Sequence, residues 1–257
     1  NQRDRTVEGC MWYDTPRLLC QLEIEYTDGS TELVVTDDSW KTTTGPLLHD
    51  AIFTGEEYDA RLELDGWNRN GYKDSSWKKA LLVRAPKGSL HAQLAPHEKI
   101  AWTLQPVSCE QKDDSTYWYA FPEMISGWAH IKVQGNAGDR IKLRFVGEEK
   151  NDFGQVDLYT LRGSGVEQWE PRFTWHTFRY IEVISRQVRM NKESLIAKVV
   201  HTDPQPAGSF SCSNELFNKI NEVYLRTQKN NFHGSISSDC PHRERLAYTG
   251  DAQGGRG

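Results

Sequence analysis

A polar stretch within the 257-residue sequence carries the residue types that acid–base chemistry needs. Three carboxylates, Asp239, Glu244 and Asp251, lie within thirteen residues and are interleaved with basic side chains, among them Arg243. Cleavage of a glycosidic bond uses such a group, because one carboxyl must stay protonated as the acid while others stay ionised to bind hydroxyls or activate water. Spacing alone leaves a second interpretation open, since charged loops with surface ion pairs are common.

Upstream of this stretch the sequence predicts short β-strands joined by tight turns. Leu18–Val35 alternates apolar and polar residues around Asp28-Gly29, which is typical of a β-hairpin. Clusters of apolar and β-branched residues between turn residues predict further strands at Ala60–Leu64, Leu81–Arg84, Ala129–Val133, Ile141–Phe145 and within Arg172–Ile184. This pattern favours β-sandwiches over alternating strands and helices.

The periodicity changes beyond the Pro-containing stretch His201–Gly208. Apolar residues there recur on one face of a predicted helix, at Leu216, Phe217, Ile220, Val223 and Tyr224. Ser213 is its expected N-cap, and Glu215 suits the positive end of the helix dipole. With a second break in the Pro-rich stretch Ala85–Pro106, the predicted domains are residues 1–90, 91–204 and 205–257.

Composition excludes several classes of protein. Lys and Arg number 31 against 36 Asp and Glu, a net charge of −5 that argues against a nucleic-acid partner. No apolar run reaches the roughly 18 residues of a membrane helix, so no membrane partner is expected. Nine Trp, ten Tyr and nine Phe argue against a disordered chain. The five cysteines form no CxxC pair, so we expect free thiols rather than a zinc site.

The order of residues around Glu244 resembles the signature of bacterial α-L-rhamnosidases of the inverting (α/α)6-barrel type, the glycoside hydrolase family 78-like enzymes. Asp239-Cys240-Pro241-His242-Arg243-Glu244-Arg245-Leu246 is followed by Thr249-Gly250-Asp251-Ala252-Gln253. The resemblance implies a mainly β fold of two β-sandwich domains, followed by the start of an α-helical (α/α)6 barrel catalytic domain that is truncated in this chain. Upstream stretches such as Asp37–Lys41, Tyr58–Leu62 and Gly135–Phe145 are also similar to that family.

The resemblance also implies a role for each matching residue. Glu244 matches the general acid, whereas Asp239, Arg243 and Asp251 match residues that hold sugar hydroxyls. For Asp239 the alternative is a turn or capping role before Pro241, since Asp favours turns. The family usually has Gly-Trp before Thr-Gly-Asp, whereas Ala247-Tyr248 stands here, and Tyr248 still offers an aromatic face.

An inverting glycosidase needs a second carboxylate roughly 6.5–9.5 Å from the acid to activate water. In the family this base is a Glu in later barrel hairpins, and no residue of this chain is assigned to that role. The resemblance therefore implies a piece of a longer enzyme, cut at both ends and inactive by itself. Two other functions remain open: a non-catalytic carbohydrate-binding or scaffolding β-sandwich module, and a hydrolase of a related glycoside.

The expected partner is a rhamnose-containing oligosaccharide or glycoside, and no cofactor is needed for that chemistry. A homodimer and a periplasmic or cytoplasmic location of a bacterial protein are left open. Six tryptophans offer faces for stacking on sugars, with core packing as the alternative: Trp40, Trp67, Trp77, Trp128, Trp169 and Trp175. Some members of the family bind rhamnose and calcium in the N-terminal sandwich, and the loop Leu64–Tyr72 is the candidate here. The side-chain oxygens of Asp65, Asn68, Asn70 and Asp74 suit calcium, and residues of these types are equally typical of an ordinary turn.

Overall fold

The computed structural model describes residues 17–85, 87–89, 91–148, 152–204, 206–234, 237–242, 245 and 250. They fall into two compact units. The sheet unit contains Pro46–Arg61 and the described residues from Gln93 onward, and the hairpin unit contains the described residues up to Gly45 together with those of Leu62–Ala92. No helix in these ranges has both the length and the apolar character that crossing a membrane requires.

Fourteen strands and one α-helix follow one another along the described chain. They are β1 (Gln21–Glu25), β2 (Thr31–Val35), β3 (Lys41–Thr42), β4 (Leu47–Ala51), β5 (Gly55–Asp59), β6 (Lys78–Lys79), β7 (Glu98–Leu104), β8 (Ser108–Gln111), β9 (Thr116–Gln134), β10 (Arg140–Val146), β11 (Asp152–Thr160), β12 (Val166–Trp169), β13 (His176–Ile184), β14 (Leu195–Thr202) and α1 (Glu215–Asn231). Two 3-10 helices lie at Ala60–Leu62 and Lys192–Ser194. The expected fold class, mainly β followed by the start of a helical domain, is confirmed.

The hairpin unit is built from two short antiparallel pairs. Strands β1 and β2 form the hairpin predicted from Asp28-Gly29, with Gly29 at a φ of 81°, a left-handed conformation that glycine adopts without strain. The Asp28 carboxylate accepts a hydrogen bond from the backbone N–H of Ser30 at 2.9 Å. The second pair joins β3 to β6.

Ten strands of the sheet unit form one curled sheet in the order β4-β5-β11-β10-β13-β9-β14-β7, with β8 and β12 also paired to β9. The 19-residue strand β9 makes the curl, since its first part pairs with β13 and its last part with β14. Gly127 lies between the two parts, where a Cβ atom would be 1.9 Å from the carbonyl oxygen of Lys198. Only glycine allows the backbones of β9 and β14 to approach this closely.

The core lies on the inner face of this sheet. Alternate residues of β9, β10 and β13 point inward and are almost fully buried, among them Tyr119, Phe121, Ile131, Leu143, Phe145, Phe178 and Ile181. Burial of each such side chain is worth about 1.5–3 kcal/mol relative to exposure. The predicted strands Ala129–Val133 and Ile141–Phe145 lie inside β9 and β10 and are confirmed.

Two predicted strands are wrong. Ala60–Leu62 is a 3-10 helix, because the Asp59 carboxylate accepts hydrogen bonds from the Arg61 backbone at 3.1 Å and from its guanidinium at 2.7 Å, which favours a local turn. Leu81–Arg84 pairs with no strand among the described residues, and Leu81 is 86% exposed. An apolar run without a partner strand buries neither of its faces and makes no inter-strand hydrogen bonds, so nothing stabilises it as a strand.

Two further predictions need smaller corrections. Strand β13 begins at His176 rather than Arg172, because the backbone N–H of Arg172 donates to the Glu56 carboxylate at 2.9 Å instead of to a strand. The N-cap of α1 is Asn214 and not Ser213, since the Asn214 side chain accepts from the N–H of Leu216 at 3.0 Å. The domain boundaries at residues 90 and 204 stay predictions, and β4 and β5 belong to the sheet unit.

Candidate active site

The segment that carries the carboxylates, residues 230–253, begins at the end of α1, which is fixed to β9. The Asn230 side chain accepts from the backbone N–H of Ser126 at 3.1 Å and donates to the carbonyl of Met124 at 3.2 Å. After α1, the N–H of Ser238 donates to the carbonyl of Asn231 at 3.0 Å. The first part of the segment is therefore attached to β9 through the Asn230 side chain, and Ser238 is held to the end of α1 by a backbone bond.

Arg245 fixes the other side of the same segment. Its Nε donates to the carbonyl of Pro241 at 3.0 Å and its Nη1 donates to the carbonyl of Ile52. The guanidinium carbon lies 4.2 Å from the ring centre of Trp175, a cation–π contact. Burial lowers the pKa of Arg245 to about 9, against the opposing effect of the Asp157 charge. Arg245 is therefore a cation at neutral pH, enclosed by the sheet unit.

Trp175 joins two parts of the segment to the sheet. Its side chain is 7% exposed, and the imidazole of His233 stacks on it at 3.6 Å with an interplanar angle of 8°. Because His233 precedes the carboxylate stretch and Arg245 lies inside it, one indole contacts both. Trp175 is thus buried, as core packing would have it, but the side chains stacked on its ring are those of His233 and Arg245.

A buried set of ionisable groups lies close to Arg245. The Asp157 carboxylate is 2.9 Å from His176 Nε2, and both side chains are fully buried. The same carboxylate oxygen of Asp157 accepts from the backbone N–H of Glu56 at 2.9 Å. Burial lowers the pKa of His176, and the Asp157 charge opposes that shift. His176 is thus neutral at neutral pH and bonds to Asp157 as an uncharged ring.

Glu56 completes this set. Its carboxylate accepts from the backbone N–H groups of Arg172 and Phe173 at 2.9 and 3.1 Å. Burial raises the pKa of Glu56, while these two N–H donors lower it. The carboxylate therefore holds the chain just before β13 against β5, which sets the position of Trp175 three residues later.

Gln155 makes a direct connection between β13 and the segment. Its Nε2 donates to the carbonyl of His242 at 3.0 Å, and its Oε1 accepts from the N–H of Thr177 at 3.2 Å. The ring of Phe153, two residues earlier on β11, lies 4.3 Å from the ring of His242. Strands β11 and β13 together form the surface on which the described part of the segment rests.

Of the four predicted site residues, the structure places only Asp239. It is exposed, and its Oδ1 accepts from the N–H of Cys240 at 2.6 Å, a local bond of the kind that turns use. Arg243, Glu244 and Asp251 lie outside the described residues, so their roles stay predictions. Sequence reasoning missed Asp157, His176, Gln155, Glu56 and the role of Arg245, because only the pairing of distant strands brings them together.

In the described chain, neither the loop at Trp67 nor the cysteines form a cluster of His, Cys, Asp and Glu side chains that could hold a metal ion. Trp67 is 61% exposed, and Asp74 forms an ion pair with Lys41 at 2.8 Å. Among the described residues, no group of three or more His, Cys, Asp and Glu side chains is placed to hold a metal ion. The four described cysteines are free thiols. Sugar or calcium binding at this loop stays a prediction.

Three family models match the chain in succession. The α-L-rhamnosidase N-terminal domain matches residues 2–101, the bacterial α-L-rhamnosidase concanavalin-like domain matches residues 110–201, and the bacterial α-L-rhamnosidase 6 hairpin glycosidase domain matches residues 205–256. The last match contains the whole carboxylate segment.

Curated and solved relatives agree with these matches. An α-L-rhamnosidase of Formosa agariphila is 32% identical over 255 residues, covering 93% of this chain and 27% of that protein. The structure of α-L-rhamnosidase from Dictyoglumus thermophilum is 39% identical with a TM-score of 0.87, over 94% of this chain and 29% of that one. A Streptomyces avermitilis α-L-rhamnosidase complexed with L-rhamnose gives 31% identity and a TM-score of 0.79, over 90% of this chain and 24% of that one. The chain thus spans about a quarter of the length of these relatives.

Proposed function

Because this chain belongs to the bacterial α-L-rhamnosidase family, we propose that it takes part in the hydrolysis of terminal α-L-rhamnosides with inversion at the anomeric carbon. The observation that carries the proposal is the carboxylate segment, which lies within the match to the 6 hairpin glycosidase domain. The substrate is a rhamnose-containing oligosaccharide or glycoside.

In this proposal Glu244 is the general acid that protonates the glycosidic oxygen as rhamnose leaves. Arg245 is covalently next to Glu244, so fixing Arg245 on Trp175 and Ile52 restricts where Glu244 can lie. A general acid needs its proton near neutral pH, which a dry environment provides by raising its pKa.

The other motif residues bind the sugar. Asp239 and Asp251 accept hydrogen bonds from rhamnose hydroxyls, and the fixed fork of Arg243 donates to a hydroxyl oxygen and never acts as an acid. Inversion requires water activated on the opposite face of the sugar by a second carboxylate. We place that base outside the 257 residues, so these residues alone are expected to release no rhamnose.

The domain proposal follows the same order along the chain. Residues 1–90 form an N-terminal β-sandwich, residues 91–204 a second one, and residues 205–257 the start of the barrel. The succession of the three family matches supports this division.

The test replaces Glu244 with glutamine in a form of the protein that hydrolyses rhamnosides. Loss of a general acid costs about 10²–10⁴ in kcat. The loss is expected to be larger for an alkyl α-L-rhamnoside than for a nitrophenyl one, because the aryl leaving group needs less protonation. The matched control is Glu215→Gln, an exposed carboxylate in the first turn of α1, which is expected to keep wild-type turnover.

Two outcomes would overturn the proposal. Wild-type turnover of both substrates by Glu244→Gln would remove Glu244 as the acid. The stereochemistry is read separately by NMR of the first product, where the β-anomer supports inversion and the α-anomer contradicts it.

A further inference from the structure

The outward face of the curled sheet carries a groove of about 270 Å³ with a basic rim. We call it the basic groove; it is lined by Arg140, Lys142, Leu158, Ile184, Arg186 and Gln187. Strand pairing explains how it forms, because Lys142 of β10 lies directly between Leu158 of β11 and Ile184 of β13. Neighbouring residues of β10, such as Ile141 and Leu143, point inward and are buried. Outward-pointing side chains on three adjacent strands therefore converge here.

Two of the three cations that line the groove have no carboxylate partner among the described residues. Arg140 pairs with Glu57 at 3.0 Å, but no ion pair within the described residues involves Lys142 or Arg186. In the next row of the sheet Arg144 and Glu182 pair with each other at 2.7 Å. The groove thus keeps two unpaired positive charges on a chain whose net charge is −5, which makes it unlike the average surface of this protein.

An aromatic side chain lies farther along the same outward face. Trp118 of β9 is half-buried and stands directly across from Glu182 of β13, with the ring of Tyr180 5.5 Å away. Trp118 lies two strands away from Lys142 across the sheet and two residues away along the strands. These displacements together place the two residues about 12 Å apart. The face therefore offers cations and an aliphatic floor at one end and an indole at the other.

We propose that the basic groove binds an acidic sugar unit of an oligosaccharide. A carboxylate or sulfate group would accept hydrogen bonds from Arg186 and Lys142, since guanidinium and ammonium groups bind such oxyanions by charge-assisted bonds. The C–H face of the pyranose packs on Leu158 and Ile184, and a neighbouring sugar unit stacks on Trp118. This site lies outside the carboxylate segment and does not depend on Glu244.

Calorimetry on the 257-residue chain tests the proposal with three probes of similar size. Trigalacturonate carries carboxylates, a sulfated galactan oligosaccharide carries sulfates, and maltotriose is neutral. Binding of either acidic probe without binding of maltotriose supports the proposal, and the tighter of the two identifies the anion. Binding of neither acidic probe, or equal binding of maltotriose, overturns it.

The double variant Lys142→Ala/Arg186→Ala is expected to weaken the acidic probe at least tenfold. The matched control is Lys78→Ala/Lys79→Ala, which removes the same charge from exposed residues of β6 and is expected to bind as the parent does. Equal weakening by both double variants would mean general electrostatic attraction and would overturn the site, as would parent-like binding by Lys142→Ala/Arg186→Ala. Thermal unfolding checks that each variant is folded.

A second readout concerns the aromatic end. Trp118→Leu is expected to weaken whichever acidic oligosaccharide the parent binds but to leave the corresponding acidic monosaccharide unchanged, because only the longer probe reaches the indole. Parent-like binding of that oligosaccharide by Trp118→Leu would refute the stacking. Glu244→Gln is expected to bind the acidic probe normally, so the catalytic proposal and this one fail or stand separately.

Discussion

Replacing Trp175 with leucine tests whether the sheet unit positions the segment that carries Glu244. The indole is the surface on which both Arg245 and His233 rest, at 4.2 and 3.6 Å. Leucine keeps an apolar side chain at the site but offers no π face to the guanidinium. The Arg245 hydrogen bonds to Pro241 and Ile52 would remain without the contact that orients them.

The expected magnitude follows from the cation–π contact. Such a contact is worth about 0.5 kcal/mol when exposed and about 2 kcal/mol when desolvated, and the Arg245 side chain is buried. If local opening of the segment depends on this contact, its opening equilibrium rises by about 2- to 30-fold, since 1.4 kcal/mol is a factor of ten. Global stability falls as well, because an aromatic core side chain has been reduced in size.

Amide hydrogen exchange measures the local effect directly. The N–H groups of Ser238 and Arg245, which donate to Asn231 and Cys240, are expected to exchange about 2- to 30-fold faster in Trp175→Leu. In a form that hydrolyses rhamnosides, kcat is expected to fall for the same reason, since small displacements of a catalytic group are costly.

Trp169→Leu is the matched control. Trp169 is also 7% exposed and is stacked on Tyr159 at 5.2 Å, among aromatic residues of the core rather than of the motif. This variant is expected to lose global stability and to keep parent-like exchange at Ser238 and Arg245 relative to global opening. Unchanged exchange in Trp175→Leu, or the same local increase in both variants, would refute the positioning role of Trp175.

Two further predictions concern stability. Gly127→Ala is expected to lower the free energy of unfolding by about 1–3 kcal/mol, because the added Cβ would lie 1.9 Å from the carbonyl oxygen of Lys198. The control is Gly45→Ala, whose Cβ would have no atom within 4 Å and whose free energy of unfolding in urea titrations is expected to stay within about 0.5 kcal/mol of the parent. Equal losses in the two variants would contradict the close approach of β9 and β14. Burial lowers the pKa of His176 below 6.5, so the unfolded state takes up its proton first, and stability present above pH 6.5 is lost as the pH falls, by up to about 1.4 kcal/mol per pH unit. The raised pKa of Glu56 has the opposite effect on stability, so the contribution of His176 is isolated by comparing the parent with His176→Gln. Urea titrations at pH 7.5, 6.5 and 5.5 give the free energy of unfolding of each. An equal dependence of that free energy on pH in both proteins would contradict the lowered pKa of His176.

Sequence patterns predicted the parts of the fold that local interactions decide. The hairpin at Asp28-Gly29 depends on one turn, and the strands within β9 and β10 depend on alternation of buried and exposed residues. Ala60–Leu64 also alternates, but the Asp59–Arg61 contacts favour a turn that a hydrophobic pattern does not register. Strand formation at Leu81–Arg84 required a partner strand, and no property of the run itself reports whether one is present.

The candidate site likewise has a part that local sequence predicts and a part that only the fold reveals. Residue identities in the motif predicted the chemistry, since Asp239, Glu244 and their neighbours lie in one short stretch. The supporting residues come from strands far apart in sequence, with Glu56 separated from Asp157 by 101 residues. From sequence alone a polar residue such as Glu56 is expected to face solvent. The pairing of β5 with β11 shows instead that it is buried. That pairing is parallel and needs a long connection, which single-sequence patterns do not specify.

The buried charges beside Arg245 have a geometric effect that is separate from stability. Taking ions out of water is costly, and replacing buried ion pairs by apolar residues is often neutral or stabilising. An apolar contact has no preferred direction. The Arg245 guanidinium, in contrast, must place its donors at the carbonyls of Ile52 and Pro241 and its carbon over the Trp175 ring. Asp157 supplies the charge that makes this burial tolerable, and a neutral His176 holds Asp157 without cancelling that charge. The buried contacts of Arg245 therefore favour a single position of the segment, which is what the general acid that we propose at Glu244 would require.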